Sequence, residues 1–155
     1  MAFKKILCPV DYSDGSREAM HVAVELARKE QAVLVLVHVW ERPIWLTGYE
    51  RQLPSDVMAE LFAAEETNLA AWKIDARKLG APEVRTRFLE GAPWDQIVSA
   101  AREDPAIGLI VMGTHGRTGI QRALIGSVAE RVVRHAPCAV MVVRPQRDER
   151  KTDAK

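Results

Sequence analysis

The sequence predicts an α/β domain: a single doubly wound, five-stranded parallel sheet in the order 3-2-1-4-5, with helices on both faces. Two observations carry that prediction. Short apolar runs at residues 4–10, 33–39, 107–112 and 138–143 alternate with segments whose apolar residues recur at helical spacing, and strands alternating with helices build parallel sheets. These runs are also continuous rather than alternating, as strands covered on both faces must be. The remaining strand, residues 83–89, alternates polar and apolar residues and so belongs at an edge. The first and fourth runs belong in the centre. With right-handed crossovers, the order 3-2-1-4-5 meets both demands.

Each element follows from its own residues. The first strand covers residues 4–10, and Pro9, which has no amide to donate, marks its end or a local break. Residues 11–16 are turn chemistry, with Ser13 or Ser16 able to cap the next helix. That helix covers residues 18–29, with Met20, Ala23, Val24 and Ala27 on one face. The second strand ends near Trp40. A long connection through Pro43, Gly48 and Pro54 follows, and connections of that length are often functional. Ser55 can cap a long helix running to Gly80, with Met58, Leu61, Phe62, Leu69, Trp72, Ala76 and Leu79 as its apolar stripe. Glu65 and Glu66 interrupt that stripe. Pro93 suits the first turn of a third helix, whose buried side is Ile97, Val98 and Ala101. Asp104 and Pro105 end it. The last helix, residues 128–135, closes at Ala136 and Pro137, and Pro145 ends the fifth strand. A single domain spans residues 1–145, and residues 146–155, mixed in charge and without an apolar anchor, read as a disordered tail.

The chain has 155 residues, 48% of them hydrophobic, with a formal net charge of +1. Nothing in that balance marks a nucleic-acid binder or a polybasic membrane surface. No apolar run reaches the length of a membrane span, and residues 1–5 do not resemble a signal peptide; the expected compartment is cytoplasmic. Cys8 and Cys138 lie in apolar runs with no metal-ligand spacing, so both read as buried structural thiols.

The chemistry concentrates at residues 113–127. Glycines stand where the fourth strand ends and where the last helix begins. A strand, a glycine-bearing loop and a helix N-terminus together form an anion site, because open amides and the helix dipole favour negative charge. Ser127 with Glu130 also reads as a capping box, which would explain the serine without a ligand. The spacing of Gly113, Gly116 and Gly119 is neither a Walker A motif nor a dinucleotide fingerprint. The spacing Gly113-x2-Gly116-x9-Gly126-Ser127 resembles the nucleotide-binding signature of the universal stress protein family. Residues 6–13, 37–39 and 138–145 are similar to that family too, so the resemblance covers nearly the whole chain.

The resemblance implies the family's ATP-binding branch, the strand order above, and a role for each matching residue. Val10 and Val39 would flank the adenine, their backbone groups reading the base edge. Asp11 would lie near the ribose or hold Mg²⁺ at the phosphates; an Asx turn onto Ser13 is the other reading of that carboxylate. Met112 and Gly113 would lie beside the ribose. Gly116, Gly126, Ser127 and Val128 would offer amides, and Ser127 a hydroxyl, to the phosphates, with Arg117 as a side-chain contact. His115 has no identified acid partner and reads as structural or exposed. His38 reads as a strand histidine satisfied locally, and Trp40 and Trp45 as packing or as a cover for the base. Asp11 ends the first strand and Gly113 the fourth, so the strand order brings them together beside the topological switch, where open α/β sheets bind ligands.

The function expected is an ATP-binding stress-response regulator whose occupancy tunes conformation or the binding of a partner protein. A slow ATPase or self-phosphorylating protein, with Ser127 or Thr118 as acceptor, is the alternative; a nucleotide-free scaffold is a third. The fifth strand is apolar yet lies at an edge, which invites strand pairing. Family members commonly dimerise there, so Val140, Met141, Val142 and Val143 are the expected homodimer interface.

Overall fold

The computed structural model describes residues 3–42, 48, 54–114 and 125–144. Its elements are β1 (Lys5–Pro9), α1 (Asp14–Glu30), β2 (Val33–Trp40), α2 (Ser55–Lys78), β3 (Glu83–Glu90), α3 (Pro93–Glu103), β4 (Ile107–Gly113), α4 (Ser127–His135) and β5 (Ala139–Val143). The strands form one parallel sheet in the order β3-β2-β1-β4-β5. The expected tail at 146–155 lies outside the described residues.

Successive side chains of a strand point to opposite faces, and the apolar runs split accordingly. Ile6 and Cys8, Leu34 and Leu36, and Leu109 and Val111 pack with Met20, Ala23, Leu69 and Trp72 of α1 and α2. Leu7, Val35, Val37, Ile110 and Met112 pack on the other face with Ile97, Val98, Ala129 and Val132 of α3 and α4. Ile107 joins this second face although Leu109, two residues on, joins the first. The β1–β4 register shifts there, from Lys5↔Ile107 to Ile6↔Leu109, so one extra residue, Gly108, reverses the alternation, as a bulge does.

Helix α1 begins at Asp14, earlier than the apolar spacing indicates, because Ser13 caps it: its Oγ accepts from the Ser16 amide at 3.2 Å. It ends at Gln31, in the left-handed region with φ 53°. Helix α2 departs further from expectation. Pro54 stands at its N-cap position with no side-chain cap bond, so Ser55 is the first helical residue instead of the cap. Leu69, Trp72 and Ala76 are buried, but Leu61 and Leu79 of the expected stripe are exposed. Helix α3 carries Pro93 in its first turn and buries Ile97, Val98 and Ala101 as expected, along with Ala100.

Cys8 is wholly buried, which pushes its thiol up to about 12. Cys138 differs from expectation: it precedes β5 and is only half-buried, with its thiol also raised by burial. Met141 of β5 is 39% exposed. No helix among the described residues is long and apolar enough to cross a membrane.

The two ends of the central strands differ. At the amino end the Lys5 amide donates to Ala106 O and the Val33 amide to Lys4 O, and Lys5 Nζ lies 2.6 Å from Asp104 Oδ2. At the carboxyl end β1 stays paired with β2 through Pro9↔Val37, but its pairing with β4 stops at Leu7↔Ile110. Pro9 therefore closes the strand without interrupting it. Beyond Leu7 the β1–β4 ladder has ended, and a crevice opens where the strand order reverses.

Candidate functional site

A cleft of about 540 Å³ occupies this crevice, within the usual size of a small-molecule site. It brings together Val10, Asp11, Val39, Met112, Gly113, Gly126, Ser127 and Val128, every described member of the expected set. Gly116 and Arg117, with His115, Thr118 and Trp45, lie outside the described residues.

One wall is the end of β2. Val33 donates to Lys4 and Val37 accepts from the Val10 amide (2.9 Å), whereas Trp40 O accepts from the Gly91 amide on the opposite side. Odd-numbered residues of β2 thus turn their backbone groups toward β1 and even-numbered ones toward β3. By this alternation the N–H and C=O of Val39 face the β1 side, one rung beyond the last pairing. Among the described residues no hydrogen-bond partner reaches them there. Trp40 also lines the cleft, but its ring packs edge-on against Phe62, centroids 5.1 Å apart.

Sequence reasoning gave no role here to the residues behind this wall. His38 is buried and its Nδ1 lies 2.7 Å from the Val10 carbonyl. A carbonyl can only accept, so Nδ1 carries the proton. The ring is satisfied locally, as expected. It stacks on Tyr12 at 4.4 Å, and Glu65 Oε2 lies 3.4 Å from Nε2. That oxygen is buried and has no hydrogen-bond partner among the described residues. Tyr12, itself at φ 66°, donates its hydroxyl to Glu65 O at 3.1 Å. The signal in the sequence is Glu65 itself, a carboxylate breaking an apolar stripe because it points inward.

The opposite wall is the start of α4. Its N-cap is Gly126, with no side-chain cap bond, so the expected Ser127–Glu130 capping box does not form. The reason is that the Gly126 amide donates to Thr114 O at 2.8 Å, which turns the chain into the helix before Ser127. Glu130 accepts from Arg134 at 2.7 Å instead. Gly126 thus has its own amide engaged. The amides of Ser127, Val128 and Ala129 are the first three of the helix, which have no intrahelical acceptor; all three residues line the cleft. Thr114, buried, also donates its amide to Val143 O at 3.1 Å. One residue therefore joins the end of β4, the start of α4 and the edge strand β5.

Asp11 occupies the floor. Its Oδ1 accepts from the Ser13 amide at 3.1 Å and from the Ser13 hydroxyl, the Asx turn that was the alternative reading, and the residue lines the cleft as well. No group of three or more His, Cys, Asp or Glu able to hold a metal exists among the described residues. Gly113 is required by packing: a Cβ there would stand 2.9 Å from Gly15 O and 3.0 Å from Gly15 C. The end of β4 lies directly against the first turn of α1, and no flexible side chain is available to yield.

Comparison with known proteins agrees with this architecture. The chain is 37% identical over 148 residues to a universal stress protein of Methanocaldococcus jannaschii, covering 95% of this chain and 85% of that one. Among solved structures, a universal stress protein of Lactobacillus plantarum superposes with a TM-score of 0.79 at 30% identity, covering 93% of this chain and 99% of that one. A universal stress protein in complex with cAMP is 26% identical (TM-score 0.68; 93% and 98% covered). One from Archaeoglobus fulgidus in complex with dAMP is 27% identical (TM-score 0.65; 92% and 98% covered). The model of the universal stress protein family matches residues 2–144, nearly the whole chain, and the protein belongs to that family.

Proposed function

We propose that the protein binds an adenine nucleotide, ATP foremost, in the cleft between β1 and β4, as a member of the ATP-binding branch of its family, and acts as a stress-response regulator. The observation that carries this reading is the pair of open backbone walls. Val39 offers one donor and one acceptor, which suits the ring nitrogen and exocyclic amine of adenine. The first amides of α4 offer donors to phosphate at the favourable end of a helix dipole. The cAMP and dAMP complexes of the two related proteins share the adenine these walls would read.

In this reading the base lies against Val10 and Val39 and the ribose beside Asp11, Met112 and Gly113. The phosphates meet Ser127, Val128 and Ala129, with Gly116 and Arg117 contributing from residues 115–124. Gly126 holds the turn through Thr114 while its neighbours donate. Mg²⁺ would arrive with the phosphates, and Asp11, which lines the same cleft, is the carboxylate that would meet it. Thr114 supplies the regulatory link. Its two backbone bonds tie the phosphate wall to β5, so a ligand that favours one arrangement of the loop shifts the edge strand with it. That edge, Val140 to Val143, is the surface we assign to a homodimer, and occupancy would tune it or the docking of a partner protein.

The test is to denature the purified protein, identify released nucleotide by chromatography, and titrate ligand-free protein with ATP and Mg²⁺ by calorimetry. Released adenine nucleotide or saturable binding is the expected result. Absence of both, at several temperatures, would refute the reading.

A further inference from the structure

We infer that His38 is a positioning residue: by donating Nδ1–H to the Val10 carbonyl it keeps the β1–β2 ladder from closing one rung further, and so leaves the Val39 backbone open to a ligand. The inference rests on the nucleotide reading for its consequence but not for its geometry. In a parallel ladder, a residue whose amide donates to one carbonyl has its own carbonyl placed to accept from the amide two residues further along the partner strand. Val10 donates to Val37 O, so the next rung would be Val39 N–H to Val10 O. His38 Nδ1–H takes one of that oxygen's two acceptor positions, at 2.7 Å and from a side chain that is 4% exposed, and the Val39 amide makes no bond to it.

The ring is fixed from every side. Tyr12 stacks on one face at 4.4 Å and Phe88 lies stacked at 5.9 Å. Glu65 approaches Nε2 from α2 at 3.4 Å, and Tyr12 in turn holds the Glu65 carbonyl. A group set beside a ring nitrogen orients the imidazole. The Val10 carbonyl fixes the donor on Nδ1, and Glu65 brings α2 against the other edge of the ring.

The test compares His38→Leu, which removes the donor, with His38→Asn, whose amide can reach the position of Nδ1. Two readouts are needed: hydrogen exchange of the Val39 amide in ligand-free protein, and calorimetric affinity for ATP. In the leucine variant the ladder closes, Val39 exchange slows by about tenfold or more, and affinity falls by about tenfold, the loss of one hydrogen bond. The asparagine variant stays near wild type in both. A Val39 amide equally protected in wild type and leucine variant would overturn the assignment, as would a folded leucine variant binding ATP like wild type. If the leucine variant fails to fold, His38→Ala, which also removes the donor, takes its place: a protected Val39 amide upholds the assignment, and one as open as in wild type overturns it. A wild-type protein that binds no nucleotide yet shows the exchange contrast would refute the proposed ligand and leave the role of His38 standing.

Discussion

The same two strands, β1 and β4, end in opposite ways. At their amino ends the strands are tied to their neighbours: the Lys5 amide donates to Ala106 O, the Val33 amide to Lys4 O, and the Lys5 and Asp104 side chains pair across the seam. At their carboxyl ends the ladder stops at Leu7↔Ile110, a histidine holds the carbonyl of Val10, and a helix begins without a side-chain cap. Buried backbone polar groups are nearly always paired. The end that leaves a donor–acceptor pair and a helix N-terminus facing one cleft is the end at which we place the proposed ligand.

The largest effect that would break this contrast is at Gly113. A Cβ at this position meets the Gly15 backbone, so Gly113→Val should lower unfolding stability by about 1–3 kcal/mol or more, the scale of overpacking a rigid core, measured by urea denaturation. Wild-type stability in that variant would show that α1 can retreat from β4. It also follows that loss of ligand binding in Gly113→Val reports on the fold as much as on the cleft.

A smaller effect sharpens the sealed end. The hydrogen bond from Lys5 holds the Asp104 carboxyl below its usual range, helped by the Ala106 amide. A carboxylate with a lowered folded-state pKa stabilises the protein above its ordinary range, and that contribution disappears as pH falls through the lowered value. Asp104→Asn should thus cost under about 1 kcal/mol at neutral pH, since the pair is partly solvated, and the difference from wild type should vanish in acid. A difference that persists or grows below the carboxylate range would contradict the ion pair as its source.

The fold was legible because the apolar runs differ in kind. Continuous residues at 107–112 demanded a central strand, and alternating ones at 83–89 an edge. The convergence of Asp11 and Gly113 then followed from strand order alone. Other features depend on contacts between distant residues. The Gly108 bulge arises from a register shift against Lys5 and Ile6, which no local spacing encodes. The Ser127 capping box is a sound local pattern overridden by one long-range bond, Gly126 to Thr114. His38 is a histidine in an apolar strand and Glu65 a break in an apolar stripe. Their partnership joins residues from separate elements across the sheet face. Leu61 and Leu79 fit a helical stripe by spacing, yet they are exposed.

We propose that open backbone amides at the start of α4 bind the phosphates of a nucleotide, and Ser127→Pro probes that contact. Proline removes one of these amides at the first helical position, where no intrahelical bond is lost. The preceding residue, Gly126, already has the extended conformation that proline requires, φ −62° and ψ 156°. Calorimetric titration with ATP, alongside thermal unfolding, should show affinity lowered by about tenfold or more, as for a hydrogen bond to a charged group, at an unchanged melting temperature. Undiminished binding in a folded Ser127→Pro protein would contradict the claim and move the phosphates away from α4.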